Sequence, residues 1–412
     1  MLAILDMPLY LRFPFDKVRQ GQAVPHRQSE SEIGYTGLHA THLFLLFTSL
    51  ELQRMKSRTI LRDLIQKVRY ENKRNMSLIQ TNEKIRTSRL ELSLTFSSNK
   101  QKWNSVCLSQ YTNRRNFSVA STLNMRFVQF TGSKGGPQRL GVQLAEDGDI
   151  FDISGVDSSI PNSLVKFLKS GDDMMEKTKR IVAEGKSVFA LSEVRLLPPL
   201  TSPDKIACVG LNYKGHCDEQ NIPYPKEPVF FSKWSSCIVG PNASVELPSV
   251  TKEFDWEVEL AVVIGKQGKD IRKKDAINHV FGYSVAVDLT ARDWQKKRNG
   301  GQWLLGKSMD GACPLGPAVV IKEVVPDPHT LPIRCKVNGE VKQDANTNEL
   351  INRIDFIISY LSRCCTLLPG DVILTGTPSG VGLYRNPPEF LKAGDIIESE
   401  IEGVGKLKTI IV

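Results

Sequence analysis

Phe254-Asp-Trp-Glu-Val-Glu-Leu-Ala-Val-Val-Ile-Gly265 decides how the rest of the chain is read. Trp256, Val258, Leu260, Val262 and Ile264 recur at every second position, the period of a β-strand. Side chains on a strand alternate between its faces, so Glu257 and Glu259 point the same way. Two carboxylates side by side repel each other unless a positive charge lies between them or one holds a proton. A hard divalent cation fits such a pair. The same spacing also suits two glutamates on a solvent-facing strand.

Around this segment, residues 204–412 alternate strand patterns with Pro-Gly, Asn-Gly and Gly-Asp turn signals. Strands are expected at 205–209, 228–232, 256–265, 281–288, 318–321, 333–338, 372–375 and 396–401. Helical patterns fall at 274–277, 291–298 and 349–362. The fold class this implies is α+β, mostly β with some helix. Upstream, 126–130 and 139–144 read as strands paired around a Gly-Gly-Pro turn, with a third at 149–153. Residues 163–168 and 173–183 have helical spacing. Residues 125–200 therefore read as a small α+β module in front of a domain spanning 204–412.

The first 124 residues differ from both. The chain of 412 residues carries a net charge of +9 with 41% hydrophobic and 24% charged residues. Residues 1–124 hold 19 Lys and Arg against 9 Asp and Glu, and the remainder holds 35 against 36. The excess charge belongs to the leader, which argues against a nucleic-acid surface on the main body. One mixed-charge helix is expected from Arg54 to Arg74. No acidic residue occurs from Leu92 to Ala145, and Arg114-Arg-Asn-Phe-Ser118 lies within that stretch. An acid-poor segment with Arg and Ser resembles a mitochondrial transit peptide with a matrix-processing site. A disordered basic linker is the other reading. The transit reading requires translation to start at Met55 or Met76, which would make the first residues an over-extended gene model. Location is thus expected in the mitochondrial matrix, or otherwise in the cytoplasm. The apolar run Leu43–Phe47 is too short to span a bilayer, and no other span is evident. Eight cysteines without a CxxC pair point to reduced thiols in a reducing compartment.

Four further groups could carry chemistry. Asp288 ends the strand pattern Tyr283–Asp288 and precedes a helix start at Thr290. With Glu257 and Glu259 it would make an all-oxygen site suited to Mg²⁺, Mn²⁺ or Ca²⁺ rather than Zn²⁺. Asp288 could equally cap a helix. His216 and Glu219, three apart, share a face in a helical turn, and a carboxylate beside an imidazole fixes its tautomer, as a general base requires. A surface His–Glu pair has the same spacing. Lys307 follows an apolar run and could sit partly desolvated beside an anion, or be solvated. The Gly/Thr-rich turn Leu374–Gly382 could offer N–H and hydroxyl donors to a carboxylate or phosphate, or be structural. It is not a P-loop, since no Lys-Ser/Thr follows its last glycine.

Taken in order, six segments resemble the fumarylacetoacetate hydrolase family across about residues 204–412. They are Asn212-Tyr-x-x-His216, Glu257-Val-Glu259, Asp288-x-x-Ala-Arg-Asp293, Gly306-Lys307-Ser308, Val337-Asn-Gly-Glu340 and Leu374-Thr-Gly-Thr-Pro378. The module beginning at Met125 is similar to the N-terminal part of the family's domain-containing protein 2 group. The resemblance implies a β-roll of mixed sheets, with Glu257, Glu259 and Asp288 as metal ligands and Mg²⁺ as the usual ion. Arg292, Gln295, Lys307 and Thr377 fall where the family contacts substrate, Lys307 being among the catalytic groups. His216 and Glu219 fall on its mobile lid as the acid–base pair. The resemblance also implies a homodimer and a small 2-oxo acid substrate. Such an acid chelates the cation through its carboxylate and keto oxygens, and loss of a C3 proton gives a metal-bound enolate. Oxaloacetate keto–enol tautomerisation is the reaction this group implies. Acylpyruvate C–C hydrolysis and oxaloacetate decarboxylation share the enolate and stand as alternatives. A metal-binding scaffold without activity is the non-enzyme alternative.

Overall fold

The structure, a computed structural model, describes residues 124–412 apart from residue 172. The expected helix at 54–74, the transit segment and the processing site lie outside the described residues.

Strand Val258–Ile264 sits inside a twelve-stranded mixed sheet, between Val280–Val287 and Val372–Leu374, both antiparallel to it. The strand begins at Val258, later than its apolar alternation predicts, because Phe254–Asp255 leaves the main sheet and pairs with Thr290–Ala291. Every residue from Val258 to Ile264 is buried, so both faces are covered and the solvent-facing alternative for Glu259 fails. Each large aliphatic side chain buried here contributes roughly 1.5–3 kcal/mol. Val372–Leu374 continues the sheet in parallel to Ile206–Gly210, and Val229–Lys233 closes that edge.

On the other side, Val280–Val287 pairs with Cys313–Ile321, which pairs in turn with Arg126–Gly132 through Arg126↔Val320 and Phe127↔Val319. Arg126–Gly132 and Arg139–Gln143 form the hairpin read from the Gly-Gly-Pro turn, and Ile150–Asp152 adds to it. Residues 125–200 thus share a sheet with the downstream segment, and Phe127, Leu140 and Ile181 belong to the same buried cluster as Leu260 and Val285.

A second sheet of five strands has the order Glu340–Asn346, Pro332–Val337, Ile396–Ile401, Gly405–Ile411, Ala243–Val245. Its first strand escapes a pattern search because Glu340-Val-Lys-Gln-Asp-Ala-Asn346 shows little apolar alternation. Gly405–Ile411 does alternate, with Leu407, Thr409 and Ile411 buried, and is a strand beyond those expected. Helix Ile354–Cys364 buries Ile354, Ile357 and Ile358, a helical stripe with Asp355 in its first turn and Arg363 in its last. Among the described residues, no helix is long and apolar enough to cross a membrane.

Candidate active site

Sheet register brings the three carboxylates together. Val258 pairs with Val287, so Asp288, one residue on, lies beside Glu257 and its N–H donates to the Glu257 carbonyl at 2.8 Å. Glu257, Glu259 and Asp288 are 5%, 1% and 0% exposed. One oxygen from each lies within 4.8 Å of the others. Glu259 Oε2 accepts the Gly376 N–H at 2.6 Å and, unlike its two neighbours, Glu259 makes no ion pair among the described residues. Burial, then Asp288 and Glu257, push its carboxyl well above the usual carboxylate range. A buried carboxyl pressed against two others without a cation of its own is the environment a hard divalent ion relieves, so this donor set fits such an ion.

The other two carboxylates have built-in cations. Lys307 Nζ contacts Glu257 Oε2 at 3.0 Å and Asp288 Oδ2 at 2.7 Å, and Arg292 Nη1 contacts Glu257 Oε1 at 2.7 Å. Burial opposes the charge on Glu257, but Lys307 and Arg292 outweigh it and bring the carboxyl down to about 2. Lys307 is 1% exposed, which excludes the solvated alternative. Arg292 opens the helix Arg292–Lys296, and its Nε donates to Asp255 Oδ2 at 2.7 Å. Arg292 Nη1 also donates to Gln295 Oε1 at 3.1 Å, while Nη2 is buried without a hydrogen-bond partner among the described residues. A second buried lysine, Lys233, touches Asp288 Oδ1 at 2.7 Å. Burial opposes the charge on Lys233, and Asp288 overrides it, raising the ammonium above its ordinary value.

His216 lies on the short helix Lys214–Glu219, with Nδ1 2.5 Å from Glu219 Oε1. Glu219 Oε2 accepts the Gly380 N–H at 2.7 Å, which fixes the carboxylate and hence the ring. With Nδ1 given to Glu219, Nε2 is the nitrogen free for proton transfer. His216 is 6% exposed, so it is not a surface pair. Just before the helix, Asn212 donates to the Thr375 carbonyl at 2.8 Å and the Asn352 carbonyl at 3.1 Å. After it, Gln220 Nε2 donates to the His216 carbonyl at 3.0 Å, and Tyr384 donates to Gln220 Oε1 at 2.7 Å.

The turn after Val372–Leu374 spends its donors on the protein's own carboxylates. The N–H groups of Gly376 and Gly380 go to Glu259 and Glu219, and those of Gly382 and Leu383 go to Asp255 at 2.7 and 3.0 Å. These four donors therefore frame the site rather than await an anion. Thr377 is buried, donates to the Val258 carbonyl at 2.9 Å and accepts from Gln343 Nε2 at 2.8 Å.

All nine expected residues thus fall in or around one buried cluster. Sequence reasoning missed Asp255, Lys233 and Gln343. Asp255 continues the period-two series of Glu257 and Glu259 and could have been found from it. Lys233 and Gln343 carry no such signal; they reach the site by tertiary contact.

The chain is similar to several known proteins. The family model described as fumarylacetoacetate (FAA) hydrolase C-terminal matches residues 205–412. A mitochondrial oxaloacetate tautomerase of Xenopus laevis is 48% identical over 73% of this chain and 94% of its own length. A mitochondrial oxaloacetate tautomerase of Bos taurus is 51% identical over 68% and 90%. The solved fumarylacetoacetate hydrolase of Exiguobacterium antarcticum is 36% identical, with a TM-score of 0.61, and covers 70% of this chain and 99% of that one.

Proposed function

Starting from the fact that the chain belongs to the fumarylacetoacetate hydrolase family and is an enzyme acting on 2-oxo acids, we propose that it interconverts the keto and enol forms of oxaloacetate. The observation that carries this choice of reaction is the near-half identity to two oxaloacetate tautomerases over nine-tenths or more of their length.

The geometry supports the same reading. Glu257, Glu259 and Asp288 would hold a divalent ion, and their hard oxygens suit Mg²⁺, with Mn²⁺ or Ca²⁺ as substitutes. When bound, the ion supplies Lewis-acid stabilisation of charge developing on the substrate oxygens. With all four carboxylates ionised, as ion binding requires, Asp255, Glu257, Glu259 and Asp288 outnumber the neighbouring buried cations Lys233, Arg292 and Lys307 by one charge. A divalent ion turns that excess into one positive charge, which favours an anionic substrate. The unpartnered Nη2 of Arg292, together with Gln295 and Thr377, would bind the substrate's polar groups. His216 would take the proton from C3 through Nε2 and, now protonated, return it to the C2 oxygen, and the reverse transfers restore the ketone. Glu219 holds the ring in the tautomer this needs. Lys307 would steady negative charge on the reacting substrate.

We further propose residues 204–412 as the catalytic domain, 125–200 as an N-terminal module and 1–124 as a leader with a transit function. The mitochondrial designation of both tautomerases supports a mitochondrial location. A homodimer follows from the family resemblance.

C–C bond hydrolysis of an acylpyruvate is the second reading. It is favoured by the 36% identity to a fumarylacetoacetate hydrolase, and the same His–Glu pair could activate water. The test is a side-by-side assay of the purified chain with Mg²⁺. Decay of the enol absorbance of oxaloacetate is followed beside pyruvate release from oxaloacetate and from acylpyruvates. Fast enol decay without matching pyruvate release supports tautomerisation. Pyruvate release from acylpyruvates with unaccelerated enol decay would replace it with hydrolysis, and release from oxaloacetate with decarboxylation.

A further inference from the structure

Lys233 is a buried cation with no part in the proton transfers above. It ends the edge strand Val229–Lys233, where Val229, Phe230 and Phe231 are half-buried, yet its own side chain is fully inaccessible. An ammonium has three donors. Lys233 donates to the Leu289 carbonyl at 3.2 Å and to the Lys307 carbonyl, and its Nζ lies 2.7 Å from Asp288 Oδ1 as an ion pair that leaves this oxygen without a hydrogen bond among the described residues. Lys307 Nζ in turn reaches Asp288 Oδ2 at 2.7 Å. Lys233, Asp288 and Lys307 therefore form a closed ring of contacts in which each Asp288 oxygen faces an ammonium. Phe231, two residues before Lys233, places its ring 4.9 Å from Lys307 Nζ and lines the same side.

We propose that Lys233 is a positioning residue: it sets the plane of the Asp288 carboxylate for the divalent ion and fixes the backbone from which Lys307 reaches Glu257 and Asp288. This rests on the reading of Glu257, Glu259 and Asp288 as the ion's ligands. Two roles for Lys233 predict opposite signs. A lysine acting only as a charge repels a nearby cation, so its removal would tighten ion binding. A lysine that orients a ligand strengthens binding, and loss of such outer partners weakens metal affinity or activity by about 10–100-fold.

The experiment measures Mn²⁺ binding to the full chain by calorimetry, for the parent, Lys233→Met and Lys233→Gln, with kcat and KM at saturating Mn²⁺. For Lys233→Met, the Mn²⁺ dissociation constant should rise about tenfold or more, and kcat should fall about as much. Lys233→Gln keeps two N–H donors and should fall between that variant and the parent. Unchanged or tighter Mn²⁺ binding in folded Lys233→Met overturns the positioning role while leaving the ion site standing. A parent that binds no Mn²⁺ overturns both. Because removing one partner of a buried pair can unfold a protein, a crystal structure of the Mn²⁺-loaded parent gives an independent reading. Lys233 retained on Asp288 and on the Lys307 carbonyl supports the role, and Lys233 withdrawn from them overturns it.

Discussion

Gly376 lies 117 residues from Glu259 along the chain, and its N–H donates to Glu259 Oε2 at 2.6 Å. That hydrogen bond couples the turn after one strand to a carboxylate on its neighbour. Gly376 has φ +103°, and a Cβ there would lie 2.8 Å from Asn212 Cβ and 3.0 Å from the Val209 carbonyl oxygen. Gly376→Ala should cost about 1–3 kcal/mol through backbone strain, and it should weaken divalent-ion binding by displacing the donor. Urea unfolding and calorimetric ion titration read the two effects. Stability equal to the parent's would show that the turn tolerates a side chain.

His216→Ala should spare ion binding and slow turnover by about 10²–10⁴-fold, the range for loss of a general acid–base group. Glu219→Gln should act in the same direction through a less well fixed ring. Ion affinity comes from calorimetry and kcat from enol decay. An unchanged kcat in His216→Ala would take the histidine out of the reaction.

Asp255 accepts from Arg292 Nε at 2.7 Å and from the N–H groups of Trp256, Gly382 and Leu383. Asp255→Ala leaves those donors buried and Arg292 short of a partner, which should destabilise the fold by about 3–5 kcal/mol. Asp255→Asn keeps the acceptor oxygen and should cost less. With Arg292 less firmly held, KM should rise in the folded variants. Denaturant midpoints and steady-state kinetics check both points.

How much of this the sequence carried depended on range. Glu257 and Glu259 were legible because the strand period puts them on one side, and His216 and Glu219 because three residues make a helical turn. Their depth was not legible. Nothing local shows that Val372–Leu374 and Val280–Val287 flank Glu259 and bury it. Lys233 reaches Asp288 across 55 positions of sequence. Gln343 reaches Thr377 from the second sheet, on a strand whose polar sequence hides it. The Gly/Thr turn was seen as a source of donors, but the acceptors proved to be carboxylates of the same chain.

His329 lies outside the carboxylate cluster. It is 5% exposed, its Nε2 accepts the Ile354 N–H at 3.2 Å, and its Nδ1 faces Asp327 and Arg353. Burial, then Arg353, lower its pKa from the ordinary histidine value. As pH falls, the unfolded chain binds this proton first, so stability rises with pH across the window. The contribution of neutral His329 is complete above the ordinary histidine range and is lost as pH falls through it toward the folded-state value. The slope from one such group is at most about 1.4 kcal/mol per pH unit. Urea midpoints between pH 7.5 and 5.5 should fall less steeply in His329→Asn than in the parent (~pH settings around the ordinary histidine value). Parallel slopes would exclude His329 as their source.

The most direct measurement is the Mg²⁺-dependent decay of enol-oxaloacetate absorbance by the parent and by Glu259→Gln, with ion binding measured on the same samples. Gln keeps an acceptor for the Gly376 N–H but removes the carboxylate charge. Accelerated decay with Mg²⁺ in the parent, with loss of both ion binding and acceleration in Glu259→Gln, is the expected result. Parent-like decay in Glu259→Gln would contradict the carboxylate cluster as the seat of the reaction.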